Sequence, residues 1–145
     1  MPIGELKENV PIFFFGDLDA YTLQNIYRTL KAGSAASLIR NSDFSAPDVK
    51  FLGVLPQDIK KYDLFSYDVK SNDASELRSI KKAQDALKND PFFRSHKNKG
   101  LAKILQWLIE SRTRCEQQAI FSVDGKDPRI FEKIILEKIE SGSYV

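Results

Sequence analysis

Val10-Pro11-Ile12-Phe13-Phe14-Phe15-Gly16-Asp17-Leu18-Asp19 is the stretch on which the fold turns. Positions 12 to 15 are apolar without alternation, the pattern of a strand buried on both faces. Two acids one residue apart, Asp17 and Asp19, follow at its C-terminal end. In open parallel sheets, ligands bind outside the carboxyl ends of the strands. Two carboxylates on alternate residues at such an edge can share one hard cation such as Mg²⁺. An ordinary role is equally open to them: Asp17 as a cap on the helix that follows, and Asp19 in a solvated turn.

Outward from the acids the period changes. Over residues 20–31, Leu23, Ile26, Tyr27 and Leu30 fall on one face of a helix, and Gly33 is well placed to stop it. Upstream, residues 4–9 read as the last turn of a preceding helix. Residues 34–48 are polar and irregular and predict a loop or lid. Residues 50–55 predict a second strand, ended by Pro56, with a short helical turn after it and a loop over 63–72. Asp73 to Glu76 has capping-box spacing and starts a helix with Leu77, Ile80, Gln84 and Leu87 on one face. Asn89-Asp90-Pro91 ends it. The longest helical pattern spans residues 99–121 and includes Leu101, Ile104, Leu105, Leu108, Ile109, Cys115 and Ala119. A last helix covers 127–140, with Pro128 near its first position.

This order predicts an α/β fold: a parallel sheet flanked by helices, followed by C-terminal helices, in one domain over 1–145. Two strands are few for such a sheet. Either residues 63–70 hide another strand, or part of the domain lies outside this chain.

The totals are those of a soluble globular protein: 145 residues, 42% hydrophobic and 29% charged. The net charge of +2, from 22 basic and 20 acidic residues, does not announce a nucleic-acid binder, although charge can be local. One cysteine and one histidine leave no internal disulfide and no zinc set. No apolar run approaches the roughly 18 residues of a membrane span, and no signal peptide precedes the strand, so an intracellular protein is expected.

Two enzyme classes compete for the acids. Phosphotransferases of the haloacid-dehalogenase kind carry an apolar strand and D-x-D-x-T or D-x-D-x-V. Here that last position holds Tyr21, with Thr22 one place late, and no paired acids follow downstream. In a Toprim fold, D-x-D and a glutamate from an earlier strand hold Mg²⁺ for DNA strand breakage.

The remaining motifs favour the second. The chain resembles the A subunit of DNA topoisomerase VI and its meiotic relative, the Spo-eleven double-strand-break protein, over nearly its whole length. The shared pieces, in order, are Asp17-Leu18-Asp19 with Tyr21, Lys31-Ala32-Gly33-Ser34, Pro47-Asp48-Val49-Lys50-Phe51-Leu52-Gly53-Val54 with Asp58, and Pro91-Phe92-Phe93. Arg114-Cys115-Glu116-Gln117-Gln118-Ala119, Glu137-Lys138-Ile139 and the close at Ser143-Tyr144-Val145 complete the set. Ala20 and Thr22 replace the family's usual proline and glycine beside the acids. Glu5 and Glu8 lie too close to Asp17 to be the family's glutamate, and none of Tyr21, Tyr27, Tyr62, Tyr67 or Tyr144 matches its nucleophile.

The resemblance implies the C-terminal part of a Toprim (Rossmann-like) domain, with the glutamate-bearing strand and a winged-helix domain upstream. It implies a Mg²⁺ cofactor on Asp17 and Asp19 and double-stranded DNA as partner. It further implies a homodimer, or a larger complex with a B-type ATPase-like protein, in topoisomerase action or meiotic recombination. The place of work would be the nucleus of a eukaryote or the cytoplasm of an archaeon. A non-catalytic DNA- or protein-binding remnant of the fold is the alternative. Lys31 and Lys50, and a basic cluster of Arg94, His96, Lys97, Lys99 and Lys103 beside Phe92 and Phe93, are candidate phosphate contacts within that resemblance, of which Lys31, Lys50, Arg94, Lys97 and Lys99 are the ones assigned to DNA. For the cluster, a plain solvated surface is the favoured alternative. Cys115 reads as a core thiol on the long helix, and Trp107 as packing under a neighbouring helix or at an interface with another protomer.

Overall fold

The computed structural model describes residues 10–32, 48–69, 73–123 and 127–145. The helical turn expected at 4–9, the stop at Gly33 and the loop at 34–47 lie outside these residues. Strand β1 (Phe13–Phe15) pairs in parallel with β2 (Lys50–Gly53). Phe13 lies against Lys50, Phe14 against Phe51 and Phe15 against Gly53, so the register slips between Phe14 and Phe15. Pairing continues past the strand ends: the Gly16 N–H donates to the Gly53 carbonyl (2.8 Å) and the Val54 N–H to the Gly16 carbonyl (2.7 Å). On the other edge of β2, Phe51 and Val145 exchange both backbone hydrogen bonds, at 2.7 and 2.9 Å.

The three phenylalanines face alternately, as a strand requires. Phe14 meets Tyr27 and Phe51, with ring centroids 5.6 and 5.8 Å apart. Phe13 meets Tyr144 at 5.1 Å and Phe15 meets Phe131 at 5.2 Å. Both faces of β1 are therefore covered, although each ring stays half-buried.

The helix after the acids, α1, is π-wound over Thr22–Tyr27 and α-helical over Arg28–Ala32. The Arg28 N–H reaches back five residues, to the Leu23 carbonyl. That wider turn changes the buried face. Leu23 and Tyr27 are fully buried, whereas Ile26 and Leu30, expected beside them, are 45% and 37% exposed. The Tyr27 hydroxyl donates to the Val49 carbonyl (2.8 Å), and burial pushes its phenol up to about 12.

Past β2, helix α2 (Pro56–Lys61) and a short strand β3 (Tyr67–Asp68) follow. A strand does hide in 63–70. Helix α3 (Ala74–Asn89) starts where expected, with the Asp73 carboxylate accepting from the Ser75 and Glu76 N–H groups at 2.8 and 3.3 Å. Its buried residue is Ala83, with Ile80 and Leu87 half-buried; Leu77 and Gln84, expected on the inner face, are exposed. Helix α4 (Pro91–Arg94) is short.

The single helix expected over 99–121 is not formed. Helix α5 (Lys99–Ser111) ends at Arg112, whose backbone is left-handed (φ 52°). Strand β4 (Thr113–Arg114) then pairs antiparallel with β3, and a 3₁₀ turn covers Gln117–Ser122. The apolar spacing to Ala119 suited a helix. Backbone pairing with β3 and with Leu18 overrides that local preference, and no Gly or Pro marks the break. Helix α6 (Ile130–Ser141) is closed by Gly142 at φ 71°, a conformation glycine adopts at no steric cost. The core is one cluster, including Leu18, Leu23, Phe51, Leu101, Leu105 and Ile120. Trp107 is half-buried against it. Among the described residues no helix is long and apolar enough to cross a membrane.

One surface contact fixes α1 to the α3–α4 corner. The Arg28 guanidinium donates to both oxygens of Asp90 (2.7 and 3.1 Å) and stacks over Phe92, 5.5 Å from its centroid. Asp90 also caps α4 through the Phe92 N–H. Burial pushes the Asp90 carboxyl up, but the Arg28 hydrogen bond, the Phe92 N–H and the Arg28 charge outweigh it, leaving it below its ordinary 3.8. The folded state thus holds this proton less readily than the unfolded chain. Its stabilisation is full above the ordinary carboxylate range and is lost as pH falls through and below it. Asp90→Asn is expected to destabilise the protein at neutral pH and to approach the wild type once the pH falls below the ordinary carboxylate range, read from urea midpoints under both conditions. An equal deficit under both would remove the ion pair from the account.

Candidate metal centre

The acidic turn is built by pairing between residues far apart in the chain. Leu18 and Cys115 form an antiparallel bridge, with the Leu18 N–H donating to the Cys115 carbonyl (2.8 Å) and the Cys115 N–H to the Leu18 carbonyl (3.2 Å). Leu18 is fully buried, so extended-chain alternation turns Asp17 and Asp19 away from the core. Each acid is then held by a backbone donor. Asp17 Oδ1 accepts from the Gln117 N–H (2.8 Å), and Asp19 Oδ1 accepts from the Thr22 N–H (2.7 Å). The capping role open to Asp17 therefore falls to Asp19, and Asp17 is tied to the Glu116-Gln117-Gln118-Ala119 segment instead.

Among the described residues, the second oxygen of each carboxylate makes no hydrogen bond. Orienting one oxygen through the backbone while leaving the other outward is what a carboxylate ligand needs. The donor set also suits the ion: a hard, oxygen-only pair fits Mg²⁺, which is usually bound by one or two carboxylates and keeps several waters. Among the described residues no set of three His, Cys, Asp or Glu stands ready to hold a metal, so the pair is the whole of the described site.

The two departures beside the acids are accommodated without strain. Thr22 is buried inside α1, and no residue from 20 to 22 has a positive φ. Gly16 is the tight position. A Cβ there would stand 2.7 Å from the Phe14 ring and 3.3 Å from Thr22 Cγ2.

Behind the edge lies an ion pair whose two halves fall in separate motifs of the sequence. Asp58, the acid that follows the Pro47–Val54 motif, is buried, and so is Lys138, with 2% and 1% of their side chains exposed. Asp58 Oδ2 accepts from the Leu55 N–H (2.8 Å) and from the Lys138 ammonium. Burial lowers the Lys138 amine, and the hydrogen bond and charge of Asp58 oppose that. Gly53 leaves the space: a Cβ there would lie 2.8 Å from the Phe15 ring and 3.1 Å from Asp58 Oδ2. The pair fastens α6 to the end of β2, beside the Gly16 backbone that leads into Asp17. A signal for Lys138 was present, because it follows buried Ile134 by one helical turn.

Cys115 is buried, as expected of a core thiol, but it sits in the bridge and not on a long helix. Its S–H donates to the Phe65 carbonyl (3.4 Å). Burial pushes the thiol up to about 11, with Asp58, Asp17 and Glu116 adding to it, so it is no nucleophile at neutral pH. Glu116 is exposed and accepts from the Tyr67 hydroxyl (3.3 Å).

The basic residues gather elsewhere. Lys50 opens β2 beside Phe13, at the end of the sheet away from the acids. Lys31 joins it: burial and then the Lys50 charge lower its amine, against Asp48, and the ammonium stands 6.0 Å from the Tyr27 ring centroid. Arg94, Lys97, Lys99 and Lys103 are exposed, as is His96. Lys99 starts α5, whose 13 residues extend roughly 20 Å before the chain reaches β4 and the acidic turn. The neighbouring Gly100 abuts Val145, which pairs with Phe51, next to Lys50. Lys31, Lys50 and Lys99 thus lie toward the end of the sheet opposite Asp17 and Asp19.

Comparison with known proteins agrees with this arrangement of motifs. The family described as the Toprim domain of the topoisomerase 6 A subunit and Spo11 matches residues 4–139. The A subunit of type 2 DNA topoisomerase 6 from Methanocaldococcus jannaschii is 38% identical over 114 residues, covering 79% of this chain and 29% of that protein. The protein of the same name from Pyrococcus abyssi is 31% identical over 145 residues, covering 96% of this chain and 36% of its own length. A third, from Pyrococcus horikoshii, is 40% identical over 58 residues, 40% of this chain and 15% of that protein. The chain spans about a third of the length of the first two of these relatives.

Proposed function

The chain belongs to the Toprim family of topoisomerase 6 A subunits and Spo11, and on that premise we propose that it is the metal-edge portion of a type IIB topoisomerase-like enzyme that breaks both strands of DNA. Asp17 and Asp19 hold Mg²⁺, which when bound neutralises charge on a DNA phosphate. The observation that carries this reading is the shared posture of the two carboxylates, each held by a backbone N–H with one oxygen left over. A third carboxylate and the tyrosine nucleophile come from residues outside this domain portion. The partners are double-stranded DNA, a second copy or larger complex, and a B-type ATPase-like protein, on the chromosome of a eukaryote or in the cytoplasm of an archaeon.

Lys31, Lys50, Arg94, Lys97 and Lys99 supply sequence-independent backbone contacts, weakened by salt. A metal-free DNA- or protein-binding role is the second reading, favoured by Ala20 and Thr22 beside the acids. Titration with Mg²⁺ or Mn²⁺, followed by amide shifts of residues 17–22 and 115–117, separates the two. The wild type is expected to respond and the Asp17→Asn, Asp19→Asn double variant to lose at least tenfold in affinity, about 1.4 kcal/mol or more. The same response from both proteins would discard the metal site.

A further inference from the structure

A cleft opens between α3, α5 and β4. Its floor is apolar, with Ile80, Ala83 and Leu108, and its rim carries Glu76, Arg112 and Arg114. Arg114 is ion-paired with Glu76. Arg112 is half-buried, and among the described residues its guanidinium makes no ion pair or hydrogen bond. Two guanidinium groups thus share the rim with one carboxylate, and a second carboxylate, Asp68, stands beside it, accepting from the Thr113 hydroxyl (3.3 Å); of the two arginines only Arg114 is paired. An apolar floor lowers the local dielectric and strengthens the attraction of the Arg112 guanidinium for an anion.

Arg112 is also an unusual residue for its position. It closes α5 in the left-handed region, at φ 52°, where glycine is the common choice. Its backbone is fixed from both sides, by its N–H on the Leu108 carbonyl (3.0 Å) and by its carbonyl accepting from the Val69 N–H (2.8 Å). The guanidinium therefore projects from a rigid base. The cleft shares a wall with the acidic turn, because Ala20, the residue after Asp19, lines it too. The Leu18–Cys115 bridge sets β4 alongside that turn.

We propose that the mouth of this cleft is a phosphodiester contact, at which Arg112 binds a backbone phosphate of the DNA strand lying along the Asp17–Asp19 edge. An arginine suits the task because its planar donors match a phosphate's oxygens in pairs. The proposal rests on the reading of that edge as the DNA-facing one, and it gives the strand a contact on the acid side of the sheet, where Lys31 and Lys50 do not reach. A cation is disfavoured at the unpaired Arg112 guanidinium. Free phosphate shares the chemistry and is separated from DNA by the test.

The test uses Arg112→Gly, since glycine accepts the left-handed backbone and the fold is kept. Its melting temperature is expected at or above the wild type's. Binding of a duplex of about 20 base pairs and arbitrary sequence, read by fluorescence anisotropy from about 50 to 200 mM salt, is expected to weaken roughly tenfold. The slope of log affinity against log salt is expected to fall by about one, as for one lost phosphate contact. Unchanged affinity and slope would overturn the proposal. Inorganic phosphate that shifts the amides of residues 112–115 in the wild type, with DNA affinity equal in both proteins, would also overturn it in favour of a free-phosphate site. The Asp17→Asn, Asp19→Asn variant keeps the two readings apart. If it leaves the metal response intact while Arg112→Gly weakens DNA binding, the metal edge fails and the cleft stands.

Discussion

Lys138→Met is expected to cost about 3–5 kcal/mol of folding stability, measured as a shift of the urea midpoint. The lysine is 1% exposed and Asp58 is 2% exposed, so removal of the ammonium strands a carboxylate where water cannot reach it. One hydrogen bond, from the Leu55 N–H, would remain to it. Methionine fills nearly the same volume, so the loss reports the charge and not a cavity. Adding Asp58→Asn is expected to recover most of it, since two neutral groups in the same space avoid the desolvation that the ion pair only partly offsets. Equal losses in the single and double variants would show that packing, not pairing, holds α6 to β2. Because the pair adjoins Gly53 and the backbone leading to Asp17, the same single variant is expected to broaden the amide signals of residues 16–19.

Phe51→Ala is expected to cost a comparable amount by a different route, about 3–5 kcal/mol, as a buried aromatic truncated to alanine does. Phe51 is fully buried, with its ring 5.8 Å from Phe14 and 5.1 Å from Tyr27. Its backbone is pinned by the Val145 pair on one edge and by β1 on the other, so the walls cannot collapse into the space. Phe51→Leu retains most of the volume and is expected to cost less than half as much. A loss under about 1 kcal/mol for the alanine variant would mean that the strand relaxes, contrary to its double pairing. The result bears on the motif Pro47 to Val54. Within strand β2, Phe51 packs, Gly53 leaves space for the buried ion pair, and only Lys50 is offered to solvent.

Local signals carried much of the architecture. The unbroken apolar run before Gly16 is a strand because both its faces meet aromatic rings. Asp73 caps α3 because a carboxylate there satisfies free N–H groups of the first turn. Each of these starts from residues close in sequence. What stayed hidden depends on residues far apart. Nothing between Ser111 and Cys115 signals a break, since the pairing of Cys115 with Leu18 imposes it from another part of the chain. Ile26 and Leu30 fit an α-helical stripe, and the π turn that moves them outward has no compositional mark.

The candidate site divides along the same line. Asp17 and Asp19 were visible as a motif at a strand end. That the Gln117 N–H holds one of them was not, although the segment containing Gln117 stood out on its own. Lys31 and Lys50 are neighbours in space, yet their distance from the acids follows from strand direction, which a residue list does not contain. The pairing of Asp58 with Lys138 was hidden although both stood in motifs, because a lysine within an isoleucine-rich helix reads first as a surface charge.

The bond from the Gln117 N–H to Asp17 joins residues 100 positions apart. During synthesis from the N-terminal side, the acids emerge well before the segment that anchors one of them. Closing so long a loop is entropically slow, and contacts of such separation form after the local helices and turns. The acidic edge is therefore expected among the last parts of the domain to take shape, and a chain that stops before residue 117 lacks the donor that holds Asp17.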